Sequence, residues 1–251
     1  MLDEQSRDNV LEQSIAAYVD YLNSIRLSDL LHSLDMILVN ETNKLSDLAT
    51  RTANALSNLD LAKLEIENLI SNNRGGDTGA HGFIAEFAET GIRNARDVFE
   101  GLQKSIILLN DILLQGNEVQ MKFYSNILEE IKQASRYENM IMMFPKDHVE
   151  VIEKIMSGAK TVEYNGNRLS LSQINKIKQA IENESNLRGS RYNEWLRPSL
   201  LRYRDVQKGT INQTLSGEVD AINKQAFQQE LDIKNKANKE KSVAYQKSQP
   251  T

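Results

Sequence analysis

Residues 117–124 read NEVQMKFY. Apolar and polar side chains alternate through this octet, with Val119, Met121 and Phe123 on one parity and Glu118, Gln120, Lys122 and Tyr124 on the other. An extended strand sends successive side chains to opposite faces. As a strand, the octet therefore packs one apolar face on a helix and gathers a Glu, a Gln and a Lys on the other. Most of the chain has helical spacing, so this one stretch decides between an all-α chain and an α+β one, and we read it as a strand.

The neighbouring sequence agrees with that reading. Upstream, SIILLNDILLQ is rich in β-branched residues and leucine, and the QGNE turn from Gln115 to Glu118 can join two short strands as a hairpin. Downstream, NILEEIKQASRY returns to helical spacing and NMIMMF reads as a short buried strand ending at Pro145. A helix is expected from about Asp147, a plausible N-cap. Asn165 and Gly166 mark a second hairpin, and Ser170 or Ser172 stands near the start of a further helix. Before the octet, FIAEFAETGIRNARDVFEGL carries an apolar stripe of Ile84, Phe87, Ala88, Gly91, Ala95 and Val98. The central order is thus helix, strand, strand, helix, strand, helix.

On the N-terminal side, residues 8–72 place apolar side chains three and four apart, as in Ile15, Val19, Leu22 and Ile25, then Leu30, Leu34, Ile37 and Leu38. This predicts two or three long amphipathic helices in a hairpin or small bundle. The glycine-rich run SNNRGGDTGAHG, Ser71 to Gly82, ends them and marks a domain boundary. After Asn186 the chain is polar and helical, with its single tryptophan at Trp195. Residues 233–251 have little to bury and read as a solvated helix end or a disordered tail. The expected organisation is an N-terminal helical segment over 1–72, an α/β core over 80–185, a C-terminal helical segment over 186–232 and a polar tail. The fold class is α+β, predominantly helical, with a small mixed sheet flanked by helices.

Composition narrows the partners. A net charge of −5 excludes a uniformly basic nucleic-acid coat and leaves room for a local basic patch. With no cysteine there is no disulfide, thiolate metal site or thiol nucleophile. The first residues, MLDEQSRDNVLEQ, are acidic and unlike a signal peptide, and no apolar run nears the roughly 18 residues of a membrane helix. The expectation is a cytoplasmic protein with no membrane partner.

Asp111 opens the strand before the octet, separated from Gln120 by eight residues. A short hairpin would bring its carboxylate near Gln120 and Lys122. A carboxylate and an amide oxygen can hold a hard divalent cation, and a nearby ammonium can orient water or stabilise phosphate charge. This spacing, with Glu86 on the preceding helix in HGFIAEF, resembles the PD-(D/E)xK nuclease superfamily in the variant where glutamine replaces the second-motif acid. The resemblance covers about Gly82 to Met156, and HGFIAE, VQMKF and FPKDH together are also similar to stretches of bacterial proteins. It implies a restriction-endonuclease-like sheet and metal-dependent phosphodiester hydrolysis. Asp111 would be the metal-binding acid, Glu86 the additional acid, Gln120 the second-motif residue and Lys122 the catalytic lysine, with Mg²⁺ or Mn²⁺ as cofactor. Asn110 stands where the family's motif has proline.

FPKDH would then be the exit of the next core strand, where Lys146 or His148 meets phosphate. RPSLLRYR, holding Arg197 and Arg202 beside Trp195 and Tyr203, is a second candidate for nucleic-acid backbone contact. The competing reading is a non-enzymatic interaction protein that self-associates or binds a helical partner through residues 8–70. On that reading Gln120 and Lys122 are the solvated face of a half-buried strand, and Glu86 shares a solvated helix face with Glu89 and Arg93.

Overall fold

The computed structural model describes residues 4–72, 80–102, 112–114 and 117–249. In chain order the elements are α1 (Glu4–Asn72), α2 (Ala80–Phe99), β1 (Ile112–Leu114), β2 (Asn117–Met121), α3 (Ile127–Ala134), β3 (Ile141–Phe144) and α4 (Lys146–Met156). They continue with β4 (Glu163–Tyr164), β5 (Asn167–Arg168), α5 (Leu171–Arg188), α6 (Tyr192–Trp195), β6 (Leu196–Pro198), a 3-10 turn (Tyr203–Val206) and α7 (Ile211–Ser248). The protein is α+β and mostly helical, as expected.

Residues 8–72 form one helix where two or three were expected. α1 runs 69 residues without interruption. Its sequence contains neither glycine nor proline, so nothing in it costs the roughly 1 or 3 kcal/mol that would favour a break. The chain divides into two compact units, Met1–Thr50 with Lys224–Thr251, and Arg51–Asn223. Unit boundaries therefore fall inside α1 and α7 rather than at the glycine-rich run. Of the two readings of residues 233–251, the structure has the helix end: α7 continues to Ser248, mostly exposed, with Ala237 buried.

In the smaller unit, the ends of α1 and α7 pair antiparallel. Ile37, Asn40, Glu41 and Lys44 face Ile233, Lys236, Ala237 and Glu240, and Lys241 donates to Glu41 at 2.7 Å. Lysine-rich sequence with few apolar residues folds here because Ala226, Ile233, Ala237 and Ala244 recur at heptad-like steps, enough for a narrow seam.

The larger unit holds the sheet, ordered β1-β2-β3-β6. β1 pairs antiparallel with β2, whereas β2 with β3 and β3 with β6 are parallel. The expected alternation in the octet is present, with Val119, Met121 and Phe123 each at most 5% exposed and Gln120 and Lys122 half-buried. On one side, Met142 and Phe144 pack with Ile131, Ile152, Ile155, Ile177, Ile181 and Trp195 of α3 to α6. α2 packs against β2. Where α2 meets α1, Gly91 lies so near that a Cβ there would stand 2.3 Å from the Cβ of Ala62.

Local signals placed the later elements. Asn165 (φ 50°) and Gly166 (φ 73°) both take the left-handed conformation that a two-residue hairpin needs, joining β4 to β5. Ser170 and Gln173 form a capping box at the start of α5, and Gly189 closes its end with φ 64°. Arg188, almost fully buried, donates to Glu184 and to the carbonyls of Ala134, Tyr137, Glu138 and Met140 while lying over the Trp195 ring. It ties α5 to the turn after α3.

Candidate functional site

Because β2, β3 and β6 are parallel, their carboxyl ends open on the same edge of the sheet, the edge where open α/β sheets bind ligands. Lys122 follows β2, Lys146 to His148 follow β3, and Ser199 to Tyr203 follow β6. Three backbone bonds hold these exits in place: Lys122 N–H to Met143 O at 3.0 Å, Ser199 N–H to Phe144 O at 2.9 Å and Lys146 N–H to Leu201 O at 2.8 Å.

The first group at this edge contains Glu86, Gln120, Lys122 and Tyr137. Lys122 Nζ sits 4.4 Å from the centre of the Tyr137 ring and 3.4 Å from its hydroxyl. The ring's negative face suits an ammonium taken partly out of water. Glu86 projects from α2 and is half-buried. Burial raises its carboxyl above the usual carboxylate range, and the Lys122 charge pulls it back in part. Two of the expected site residues therefore lie within electrostatic reach of each other. Gln120 turns its amide onto its own strand, donating to Met121 O at 3.3 Å. Asp111 lies outside the described residues. Among the described residues no three His, Asp or Glu side chains cluster so as to hold a metal ion.

The second group was not legible as a site. Glu130 and His148 are both fully buried, and His148 Nδ1 lies 2.7 Å from Glu130 Oε2. The other ring nitrogen, Nε2, is bonded to the Tyr164 hydroxyl. Glu130 Oε1 accepts from Tyr124 N–H at 2.9 Å. Burial drives the Glu130 carboxyl up to about 7 against the opposing His148 hydrogen bond and charge. Burial, followed by the Asp147 charge, raises the Tyr164 phenol to about 12. The phenol thus keeps its proton near neutrality and can donate it to Nε2, leaving Nδ1–H to donate to Glu130. The Tyr203 ring stacks on His148 at 5.9 Å and meets His81 at 5.9 Å, while Asp147 accepts from Tyr203 N–H at 3.0 Å. Tyr164 also lines a polar cleft of about 250 Å³ with Asp147, Lys154, Arg202 and Arg204.

One signal of this group was present in the sequence. In NILEEIKQA the buried positions are Ile127, Glu130, Ile131 and Ala134. An acid on the apolar stripe of a short helix is a buried charge in search of a partner.

His148, expected to touch phosphate, has no exposed surface and no free ring nitrogen, so its role is interior. Arg197 lies in β6 rather than on a surface helix, and its guanidinium donates to the Asn193 and Leu196 carbonyls. Lys146 and Arg202 are exposed at the same edge. Glu89, read as one of a solvated face, is fully buried. It accepts from Ser199 Oγ at 2.7 Å and Leu200 N–H at 3.0 Å and pairs with Arg93 at 2.6 Å, anchoring the exit of β6 to α2. Among the described residues no helix is long and apolar enough to cross a membrane. No family model, curated protein or solved structure matches this chain.

Proposed function

We propose that this chain is a metal-dependent phosphodiesterase acting on nucleic acid, with its chemistry at the carboxyl end of β2. The single observation that supports the reading is the electrostatic coupling of Glu86, on α2, to Lys122, at the end of β2, where the parallel strands terminate. A carboxyl raised by burial and relieved by a nearby positive charge is a group that a cation would stabilise further. Mg²⁺ or Mn²⁺ would be held by Glu86 and Asp111, and when bound would supply Lewis acidity at the phosphoryl oxygen.

The protein's own groups have separable tasks. Lys122, held over Tyr137 and paired with no acid among the described residues, has its ammonium placed to stabilise charge developing on phosphate oxygens. Gln120 contributes an amide beside it. Lys146 and Arg202, exposed on the same edge, are placed for backbone phosphates without reading sequence.

The test uses plasmid DNA and a structured RNA with Mg²⁺ and with Mn²⁺. Lys122→Ala and Asp111→Ala should each lose roughly a hundredfold or more in cleavage rate, a loss of several kcal/mol of transition-state stabilisation. Both should keep wild-type circular dichroism; Lys122, a half-buried polar group after a strand, contributes little to folding. Equal cleavage by all three proteins, or none by the wild type on either nucleic acid, would sink the reading.

A further inference from the structure

The exposed apolar side chains of the first part of α1 are not scattered. Leu11, Ile15, Tyr18, Val19, Tyr21 and Ile25 are each 40% or more exposed, and Leu22 between them is half-exposed. Leu11, Ile15, Tyr18, Leu22 and Ile25 follow steps of four and three, the heptad rule for a helix seam. α7 does not occupy this seam. From the Glu41–Lys241 contact, each further residue of α7 moves one residue back along α1, so Ser248 reaches only about residue 34. The stripe also lies on another side of the helix. Further along α1 the less exposed side chains, Leu34, Ile37, Glu41, Leu45 and Leu48, centre about 120° round the helix from it.

We infer that this stripe is the interface of a homodimer in which two copies of α1 pair antiparallel across residues 11–26. In the register that sets Ile15 against Ile25 and Tyr18 against Leu22 of the second copy, four apolar layers close. Val19 and Tyr21, on the two flanks, each meet their own equivalent across the dyad. The six exposed side chains named above and Leu22 are then all covered, and ten seam side chains, five from each copy, approach the roughly 1,000 Å² of a specific interface.

Charge selects both the occupant and its direction. The same register brings Glu12 opposite Arg26 of the second copy, twice by symmetry, so the surface is complementary to itself. A parallel pair would instead seat Asp29 against Asp29 on the seam. The antiparallel pair moves these two acids to opposite ends, each beside Leu11.

The full chain, which contains no cysteine, makes the test direct. Sedimentation equilibrium at tens of micromolar should give a dimer, and Tyr18→Glu should give a monomer with unchanged helical circular dichroism. Glu12→Arg should weaken dimerisation about tenfold, and adding Arg26→Glu should restore it. Under mild oxidation, Tyr18→Cys with Leu22→Cys should cross-link and Tyr18→Cys alone should not. A monomeric wild type, a dimer that survives Tyr18→Glu, or efficient cross-linking through Tyr18→Cys alone would overturn the inference.

Discussion

Glu130 makes folding depend on pH in a direction opposite to the usual carboxylate. A carboxyl at 4.5 in the unfolded chain and about 7 in the folded one is protonated only when folded throughout that window. The unfolded chain then binds fewer protons, and stability falls as pH rises from about 4.5 to 7. A rise of that size corresponds to at most about 3 kcal/mol. The cause is burial with no exposed oxygen, incompletely offset by Tyr124 N–H and His148. Glu130→Gln keeps an acceptor for Tyr124 and a polar partner for His148 but cannot titrate. Urea unfolding of both proteins at steps between pH 4.5 and 8 reads the effect of Glu130 and the groups coupled to it, because groups remote from it contribute alike and cancel in the difference. Relative to wild type, the variant should gain on the order of 3 kcal/mol between the acidic and alkaline ends. Parallel stability curves would refute the reasoning and mean that the charged Glu130 is as well housed as in water.

Two further outcomes test the packing around the sheet. Glu89→Ala leaves Leu200 N–H, Ser199 Oγ–H and the Arg93 guanidinium without their shared acceptor, and should cost about 3–5 kcal/mol in chemical denaturation; a cost under about 1 kcal/mol would show that Glu89 does not anchor β6. Gly91→Ala would ordinarily gain about 1 kcal/mol in a helix, yet its Cβ would meet Ala62 at 2.3 Å, so a net loss of about 1–3 kcal/mol is expected in thermal melts. A stabilised variant would mean that α1 and α2 separate freely at this crossing.

What the sequence disclosed was local. The alternation of Val119, Met121 and Phe123, the Asn165–Gly166 turn and the Ser170 cap each depend on neighbours within a few residues, and each appears where expected. What it concealed was long-range. β6 is only three residues, contains a proline and borrows its strand character from pairing with β3, so RPSLLRYR showed its basic residues and hid its place in the sheet. Glu89 and Glu130 have the composition of a solvated face and become buried only because Ser199 and His148 arrive from 110 and 18 residues away. The continuity of α1 was hidden differently. Its apolar positions shift from one side of the helix to another, which imitates a break in a sequence that contains no breaker.

The same long-range contacts explain why the two groups at the sheet edge have different characters. Lys122 and His148 each follow a parallel strand within four residues, so topology alone would expose both. Their fates diverge at the next element. After β2 the alternation of buried and half-buried side chains continues through Tyr124, and Lys122 lies over the Tyr137 ring and senses Glu86. After β3, Pro145 starts α4 at once, and the first turn of that helix carries His148 inward beneath Tyr203, between Glu130 and Tyr164. A histidine with both nitrogens engaged in the interior cannot exchange places with a mobile ligand. A lysine over an aromatic face can release it at the cost of about 1 kcal/mol. On the proposed reading, chemistry on a bound phosphate would belong with Lys122 and Glu86, while the Glu130–His148–Tyr164 chain fixes the walls of that edge.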